Sequence, residues 1–313
     1  VGLSESLILS IHPPPPAPPA PTMADAPVTP GTWFKTLYPD SVPQAALGAV
    51  LKWCDAAQTD YYHRHKALPQ EAADLIERSV MRSNAVEFLV PYEKWAAIVT
   101  SRAMVHCNVH LVRVGNTSFA LRIAVSSEEM VPLAIVETVM VAVSAQDFTK
   151  PVPVPNAELM KKNLRPAAVP AVHAPPTQKS RPDSAFLWKT QVRKSDCDIL
   201  FHVNNAIYGN YMEDARFQAA EAGALPKDLA RVEATEGFPH GALVEYLGQP
   251  HAGQSMTVAV WCDEATRTIY FEFFLDDGQV VCKASMVCGT APVSTTANFV
   301  GSSLVRTPGS SKL

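Results

Sequence analysis

The sequence predicts an α+β protein made of two similar halves, in each of which one long helix packs against an antiparallel sheet. Three observations support this prediction. Each half contains a segment with helical periodicity, followed by several runs that have the features of β-strands. A proline-rich stretch separates the halves. The turn dipeptides Gly115-Asn116 and Asp277-Gly278 each join two strand runs as a hairpin.

Changes in composition divide the chain into five segments. They are a proline-rich arm over residues 1–30, a first domain over 31–149, a proline-rich linker over 150–184, a second domain over 185–291 and a flexible tail over 292–313. The arm is expected to be disordered or to form polyproline II, because proline cannot continue a helix or a sheet ladder. Since Met23 opens a plausible start, much of the arm is expected to lie outside the natural protein.

In the first half, the predicted helix begins near Pro43, because proline is tolerated in the first turn of a helix. The apolar residues that recur at helical spacing are Ala46, Ala49, Val50, Trp53, Cys54, Ala57 and Tyr61. Strands are predicted over residues 32–38, 79–90, 97–114, 117–126 and 133–145.

The second half repeats this order. Residues 186–193 alternate between apolar and polar side chains, as in a strand. The predicted helix that follows carries its apolar residues at Tyr208, Tyr211, Met212, Ala215, Ala219 and Ala222. Further strands are predicted over residues 231–247, 255–262, 268–275 and 280–288. The repeated order indicates the duplication of one module.

The overall composition is that of a soluble globular protein, with 47% hydrophobic and 18% charged residues. A net charge of −4 lacks the basic excess that is typical of nucleic-acid-binding proteins. No run is long enough to span a bilayer, since the best candidate, residues 131–145, is interrupted by Pro132 and Glu137. The six cysteines show neither Cys-x-x-Cys spacing nor a zinc pattern, which predicts reduced thiols, no metal and a reducing compartment.

The residues best suited to catalysis lie between the first strand and the helix of the second half. Asp196, Asp198, His202, Asn204 and Asn205 crowd into this corner, and either asparagine suits the N-cap of the helix. A helix N-terminus presents unpaired N–H groups and a partial positive charge, which can polarise a carbonyl and hold an oxyanion. A nearby carboxylate can attack that carbonyl or activate water. The structural alternative is that the aspartates cap and turn the chain while His202 packs.

The pattern Asp-x-Asp-x-x-x-His-Val-Asn-Asn-Ala-x-Tyr, which begins at Asp196, resembles the signature of hotdog-fold thioesterases. This group includes 4-hydroxybenzoyl-CoA thioesterase and the acyl-ACP thioesterases. The resemblance implies that Asp198 serves as nucleophile or base and that His202 orients or polarises. It also implies that Glu213 occupies an acidic helix position that some members use in catalysis. One residue departs from the pattern, because many members have Gly or Asn where this chain has Leu200.

The first half resembles the acyl-CoA hydrolases that are built as tandem hotdogs. The resemblance rests on residues 47–57, on the strand pattern and on residues 151–155, which close the domain. It implies an α+β fold of the tandem (double) hotdog type, and it implies that Asp55 is a catalytic helix carboxylate. The alternative is that Asp55 is a solvated helix residue. Members usually carry His-Gly-Gly where this chain has Ala46-Leu47-Gly48, so the oxyanion end of this half is expected to be degraded.

Together these features predict an acyl-CoA thioesterase, in which coenzyme A is part of the substrate and no further cofactor is needed. A thiol with a pKa near ~8.5 leaves readily, so a carboxylate and backbone oxyanion donors suffice. Asp198 is expected to attack or to activate water, His202 to position the thioester, and N–H groups near Asn204 and Asn205 to hold the oxygen. The halves are expected to pair through their sheets, with Asp55 or Glu213 completing a site from the opposite helix. One sound site and one degraded site would result.

Further residues are candidates for substrate binding. An acyl tunnel is expected to involve Trp53, Tyr208, Tyr211 and Met212, although at helical spacing such residues more often belong to the core. The cations nearest the corner, which could bind the phosphates of coenzyme A, are Arg193, Lys194 and Arg216.

Two other functions remain open. Hotdog enoyl-CoA hydratases use an Asp-x-x-x-x-His pair with a neighbouring Asn-Pro, whereas only three residues separate Asp198 from His202 here and no Asn-Pro follows. A non-catalytic protein that binds acyl-CoA is the second alternative, and Leu200 and Ala46 favour it.

The chain ends in Ser311-Lys312-Leu313, which is a peroxisomal address read by an import receptor. We therefore expect a peroxisome, or a specialised peroxisome such as the glycosome, as the location. The expected partners are the acyl-CoA substrate, the import receptor and further copies of the chain in a homo-oligomer of double hotdogs.

Overall fold

The computed structural model describes twelve parts of the chain. They are residues 32–37, 46–64, 78–101, 104–144, 146–147, 149–162, 164, 169–173, 175, 180–198, 201–230 and 237–289. The predicted arm, the predicted tail with its Ser-Lys-Leu ending and parts of the predicted linker lie outside these residues.

The first half contains one long helix and five strands in the described ranges. In chain order its elements are β1 (Thr32–Leu37), α1 (Ala46–Arg64), β2 (Ser79–Phe88), α2 (Tyr92–Ser101), β3 (Val105–Val114), β4 (Ser118–Ser127) and β5 (Pro132–Ala142). A short helix, α3 (Ala157–Lys162), follows in the linker.

The second half repeats the arrangement of one long helix and five strands over its described residues. Its elements are β6 (Phe186–Gln191), a single 3₁₀ turn (Lys194–Asp196), α4 (Ile207–Glu221), α5 (Lys227–Ala230), β7 (Pro239–Tyr246), β8 (Ser255–Asp263), β9 (Thr268–Leu275) and β10 (Val280–Cys288).

The described strands form one ten-stranded antiparallel sheet. Its order is β1-β3-β4-β5-β2-β7-β10-β9-β8-β6. Each half therefore has the same internal order, and the two halves join edge to edge where β2 pairs with β7, with Ala85 opposite Leu243. This arrangement agrees with the predicted pairing of the halves through their sheets.

The two long helices meet at a pair of glycines near their N-termini. A Cβ atom on Gly209 of α4 would lie 2.7 Å from both Cα and N of Gly48 on α1, so the helix backbones are in direct contact. The third residue of each helix supplies the glycine. Apolar side chains of both helices, including Leu51 and Met212, join the strands in one buried core.

The sequence-based assignment of residues 97–114 to a single strand is wrong in its first part. Residues Tyr92–Ser101 form helix α2, and the strand begins at Val105. Trp95 and Val99, one helical turn apart, are buried on the same face of α2. The N–H of Trp95 donates to the carbonyl of Pro91, which starts the helix.

Both predicted hairpins are confirmed. The N–H of Gly115 donates to the carbonyl of Ser118 at 2.7 Å, which closes the turn between β3 and β4. Gly278 has a φ of +85°, a left-handed conformation that glycine adopts without strain. Among the described helices, none combines the length and the apolar character needed to cross a membrane. The cysteines form no disulfide within the described residues.

Candidate functional site

An open cleft of about 700 Å³ lies where α1, the corner before α4 and the first turns of α4 meet. Its acidic residues are Asp55, Asp196, Asp198, Glu213 and Asp214, its basic residues are Lys52 and Arg193, and its amides are Asn204 and Asn210. Ala206 and Ile207, at the N-terminus of α4, also line it. Both halves of the chain therefore contribute to one site.

Asp196 anchors the corner. Its Oδ2 accepts hydrogen bonds from the backbone N–H and the Nε of Arg193, both at 3.0 Å, and from the hydroxyl of Tyr211 at 2.6 Å. Burial raises the pKa of this carboxyl, but the hydrogen bonds from Tyr211 and Arg193 outweigh burial and lower the pKa below its ordinary value. Asp196 is therefore an ionised and fully bonded residue that fixes the backbone in front of the cleft.

A tight turn presents Asp198 to the cleft. The N–H of Asp198 donates to the carbonyl of His202 at 3.0 Å, and the N–H of Phe201 donates to the carbonyl of Asp198 at 3.1 Å. The turn brings Nδ1 of His202 to 3.5 Å from Oδ2 of Asp198. Asp198 keeps a quarter of its side-chain surface exposed, whereas His202 is more buried and stands beside the carboxylate. Leu200, the residue that departs from the family pattern, lies outside the described residues.

Asn204 shapes the N-terminus of α4 without capping the helix in the predicted way. The N-cap residue is Ala206, so the prediction of Asn204 or Asn205 at this position is wrong. Instead, Oδ1 of Asn204 accepts from the N–H of Ala206 at 2.8 Å, and its carbonyl accepts from the N–H of Ile207 at 2.9 Å. This Asx turn leads the chain into the helix.

Of the N–H groups near Asn204 and Asn205 that were predicted to hold the carbonyl oxygen, the one of Asn204 itself is not available. The N–H of Asn204 donates to the carbonyl of Asp196 at 2.9 Å and is therefore occupied within the corner. The next N–H groups of α4, those of Tyr208 and Gly209, belong to the first turn, where a helix offers its own N–H groups no acceptor. They are the better donors for an oxyanion.

Asp55 reaches the corner from α1 of the first half. Nδ2 of Asn204 donates to Oδ2 of Asp55 at 3.3 Å. Burial raises the pKa of Asp55; the hydrogen bond from Asn204 lowers it, the charge of Asp198 raises it, and the net shift is upward. The structure thus places Asp55, a carboxylate of the opposite helix, beside Asp198. The surroundings of Asp55 are not those of a solvated helix residue.

Glu213 lies on α4 itself, and in this cleft it belongs to the same half as Asp198. Its Oε2 accepts from Nη1 of Arg216 at 3.3 Å, while Oε1 is buried and has no hydrogen-bond partner among the described residues. Burial raises the pKa of Glu213 against the opposing effect of Arg216. Glu213 is therefore a carboxyl in the cleft wall that is held in its neutral form more readily than an exposed glutamate.

The predicted acyl-tunnel residues do not line this cleft. Tyr208 is buried and makes edge contacts with Tyr246 and Phe273, each with ring centroids 5.4 Å apart. Trp53 packs against Trp95 at the same centroid distance. The remaining two, Tyr211 and Met212, are buried as well. Their helical spacing reflects the core, which was the alternative explanation.

The prediction that Arg216 binds the phosphates of coenzyme A is wrong. Its side chain is fully buried, and its guanidinium donates to the carbonyls of Leu229 and Gly237 as well as to Glu213. Arg193, by contrast, lies at the cleft rim with two thirds of its side chain exposed. Lys52, which the sequence analysis missed, also lines the cleft. Its position three residues before Asp55, on the same face of α1, is the signal that identifies it.

The equivalent of Asp55 in the other half is not a carboxylate. The glycines in contact provide the alignment of the two helices: Asp55 follows Gly48 by seven residues, and Arg216 follows Gly209 by seven residues. Because Arg216 is locked in the core, the second half's helix offers no acidic partner at that position to a site in the first half. The corresponding corner of the first half, residues 38–45, lies outside the described residues.

Residues 192–298 match the family model described as the Thioesterase-like superfamily. None of the curated proteins compared with the chain matches it significantly. The structure is similar to that of an acyl-ACP thioesterase from Bacteroides thetaiotaomicron VPI-5482, with a TM-score of 0.57, 15% identity and coverage of 82% of this chain and 97% of that chain. It is also similar to a 12:0-ACP thioesterase from Umbellularia californica, with a TM-score of 0.56, 13% identity and coverage of 82% and 96%.

These comparisons confirm the predicted α+β tandem hotdog fold and the resemblance to hotdog-fold thioesterases. At such low identity the structural similarity shows the fold, whereas the family match characterises the second half as a thioesterase-like domain. This domain is therefore related to thioester hydrolases.

Proposed function

We propose that the protein hydrolyses an acyl-CoA to the free acid and coenzyme A in the cleft between α1 and the corner of the second half. One observation carries this proposal: Asp198 and the first turn of α4 line the same cleft. A carboxylate and a positive helix tip can therefore act on one carbonyl group.

In the proposed reaction, the carbonyl oxygen of the thioester lies against the N-terminus of α4, where first-turn N–H groups stabilise the negative charge of the tetrahedral intermediate. Asp198 either attacks the acyl carbon or removes a proton from a water molecule that attacks it. A bond from the attacking oxygen to the acyl carbon forms, the C–S bond breaks, and the sulfur leaves as a thiolate that takes up a proton. If Asp198 itself attacks, water then hydrolyses the acyl-enzyme.

The other residues of the cleft have supporting roles in this proposal. His202, 3.5 Å from Asp198, orients the carboxylate. Asp55 and Glu213, whose pKa values are both raised by burial, can hold and return protons. Arg193 and Lys52 provide positive charge for the phosphates of coenzyme A.

The experiment is a hydrolysis assay on the purified full chain. Release of free thiol is followed with acyl-CoAs of increasing chain length and with matched acyl-ACPs. The proposal predicts saturable thiol release with at least one acyl-CoA. A preference for acyl-ACP would confirm thioester hydrolysis but contradict the proposal that the acyl group is carried by coenzyme A. Binding of acyl-CoA without thiol release would favour a non-catalytic binding protein, and hydration of an enoyl-CoA would favour a hydratase.

We also propose that the protein is delivered to peroxisomes through Ser311-Lys312-Leu313, which an import receptor would bind. The test is a fluorescent protein fused in front of the chain, with and without the last three residues, together with a peroxisomal marker. Punctate overlap with the marker that is lost on deletion supports the proposal. Diffuse fluorescence of the intact fusion contradicts it.

A further inference from the structure

A series of hydrogen bonds, which starts in the buried core, runs from the sheet of the first half to the corner of the second. The hydroxyl of Thr138 on β5 donates to Oδ1 of Asn84 on β2 at 2.6 Å. Nδ2 of Asn84 donates to the hydroxyl of Tyr246 on β7 at 3.0 Å, and that hydroxyl donates to the carbonyl of Asn205 at 3.0 Å. The side chains of Thr138, Asn84 and Tyr246 are all buried.

The hydrogen-bond series continues beyond the carbonyl of Asn205 through a single peptide group. The same peptide carries the N–H of Ala206, which donates to Oδ1 of Asn204 at 2.8 Å. Nδ2 of Asn204 in turn donates to Oδ2 of Asp55 at 3.3 Å. Every group donates to the next in one direction, and the last acceptor is a carboxylate.

The direction of the chain has a physical consequence. Hydrogen bonds in series polarise one another, and the effect is stronger in a low-dielectric interior than in water. Because the carbonyl of Asn205 accepts a hydrogen bond from Tyr246, the N–H of Ala206 becomes a better donor, which strengthens its hydrogen bond to Asn204. The orientation of Asn204, and with it the contact to Asp55, thus depends on groups that lie on the sheet of the first half.

The polar residues of this hydrogen-bond series lie among apolar neighbours. Asn84 pairs across the sheet junction with Val244, and Val86 and Val136 are buried close by. A buried amide or hydroxyl is costly unless it is hydrogen-bonded, and an apolar side chain would serve the core at least as well. A role in positioning accounts for the polar groups where packing alone does not.

We propose that Tyr246, held by Asn84 and Thr138, is a positioning residue of the cleft, because it fixes the carbonyl of Asn205 and through it the side chain of Asn204 against Asp55. This proposal rests on the proposed thioester hydrolysis for its kinetic consequence. Its structural content, that the first half sets the geometry of the corner in the second, stands independently. The tandem arrangement then contributes to the site itself and not only to stability.

The kinetic test compares substitutions that differ by one hydroxyl. Tyr246→Phe and Thr138→Val remove a link, whereas Thr138→Ser keeps the hydroxyl. Tyr270→Phe removes the hydroxyl of another buried tyrosine, on β9, which stacks on Trp261. The first two variants are expected to lower kcat about tenfold with KM changed by less than about twofold, since one hydrogen bond to a reacting geometry is weakened. Thr138→Ser and Tyr270→Phe are expected to match the wild type.

A spectroscopic readout separates this proposal from the proposed function. In ¹H–¹⁵N correlation spectra, the side-chain amide of Asn204 and the backbone amide of Ala206 are expected to shift in Thr138→Val and Tyr246→Phe but not in Thr138→Ser. Unmoved resonances in both folded variants overturn the proposal, whatever the hydrolysis rates. If the wild type hydrolyses no thioester, the proposed function fails, and these resonances still decide the inference. If Tyr246→Phe does not fold, Thr138→Val and Thr138→Ser decide it.

Discussion

Nδ2 of Asn204 in the second half donates a hydrogen bond to Oδ2 of Asp55 in the first half, at 3.3 Å. The two residues are 149 positions apart in the chain, and the pairing of β2 with β7 brings their halves together. Asp55 and Asp198 thereby meet in one cleft, and the charge of Asp198 contributes to the raised pKa of Asp55. A site of this kind needs both halves.

The raised pKa of Asp55 predicts a pH-dependent effect on stability. A carboxyl whose pKa is higher in the folded than in the unfolded state binds its proton more tightly when folded, so the folded state loses stability as pH rises above the unfolded value. That value is 3.8 for an aspartate. Asp55→Asn, which is neutral and keeps an acceptor for Asn204, is expected to melt at a higher temperature than the wild type at pH 7.

The difference in melting temperature is expected to shrink as the pH is lowered towards 3.8. Thermal unfolding of both proteins over a pH series measures it. Asp183→Asn, at an exposed aspartate, is the control and is expected to melt with the wild type at every pH. A variant that is equally or less stable than the wild type at pH 7 would show that Asp55 is not held against ionisation.

The contact between Gly48 and Gly209 predicts that Gly209 does not tolerate a side chain. In Gly209→Ala the new Cβ would lie 2.7 Å from Gly48 Cα, which forces the helices apart. We expect a loss of about 1–3 kcal/mol in the free energy of unfolding, measured with urea. Gly241→Ala is the matched control, since its Cβ meets nothing closer than 3.6 Å, and a change within about 0.5 kcal/mol is expected. Equal stability of the two variants would contradict the close helix crossing.

The buried guanidinium of Arg216 predicts that lysine cannot replace it. Arginine supplies several donors in a planar fork, here to the carbonyls of Leu229 and Gly237 and to Glu213, whereas lysine carries a single ammonium group. Arg216→Lys is expected to lose about 3 kcal/mol or more of unfolding free energy. Arg181→Lys, on a partly exposed arginine, serves as the control and should lose under about 1 kcal/mol. Similar losses in the two variants would argue against the structural role of Arg216.

The sequence predicted those features that depend on local pattern. The strand over residues 268–275 and the turn at Gly278 are visible in the chain itself, and the structure has both. The corner of the second half was also predictable, because Asp198 and His202 are close enough in the chain for one turn to bring them together. The family match over residues 192–298 includes this corner.

The features that depend on tertiary contacts could not be predicted. Tyr208 has the helical spacing of a tunnel residue and of a core residue, and only its contacts with Tyr246 and Phe273 decide between them. Arg216 is a plausible phosphate ligand by sequence, yet the carbonyls that bind it come from residues up to 21 positions away. Residues 97–101 of helix α2 were mistaken for a strand, because a short apolar run satisfies both patterns.

The most direct test of the central claim is the rate of thiol release by Asp198→Asn, measured with the best acyl-CoA substrate of the wild type and with Asp183→Asn as the control. The substitution keeps the size of the side chain and removes the carboxylate. We expect the rate to fall by at least about a hundredfold while the melting temperature stays close to that of the wild type. A folded Asp198→Asn variant that releases thiol at the wild-type rate would contradict the assignment of Asp198 as the reacting carboxylate.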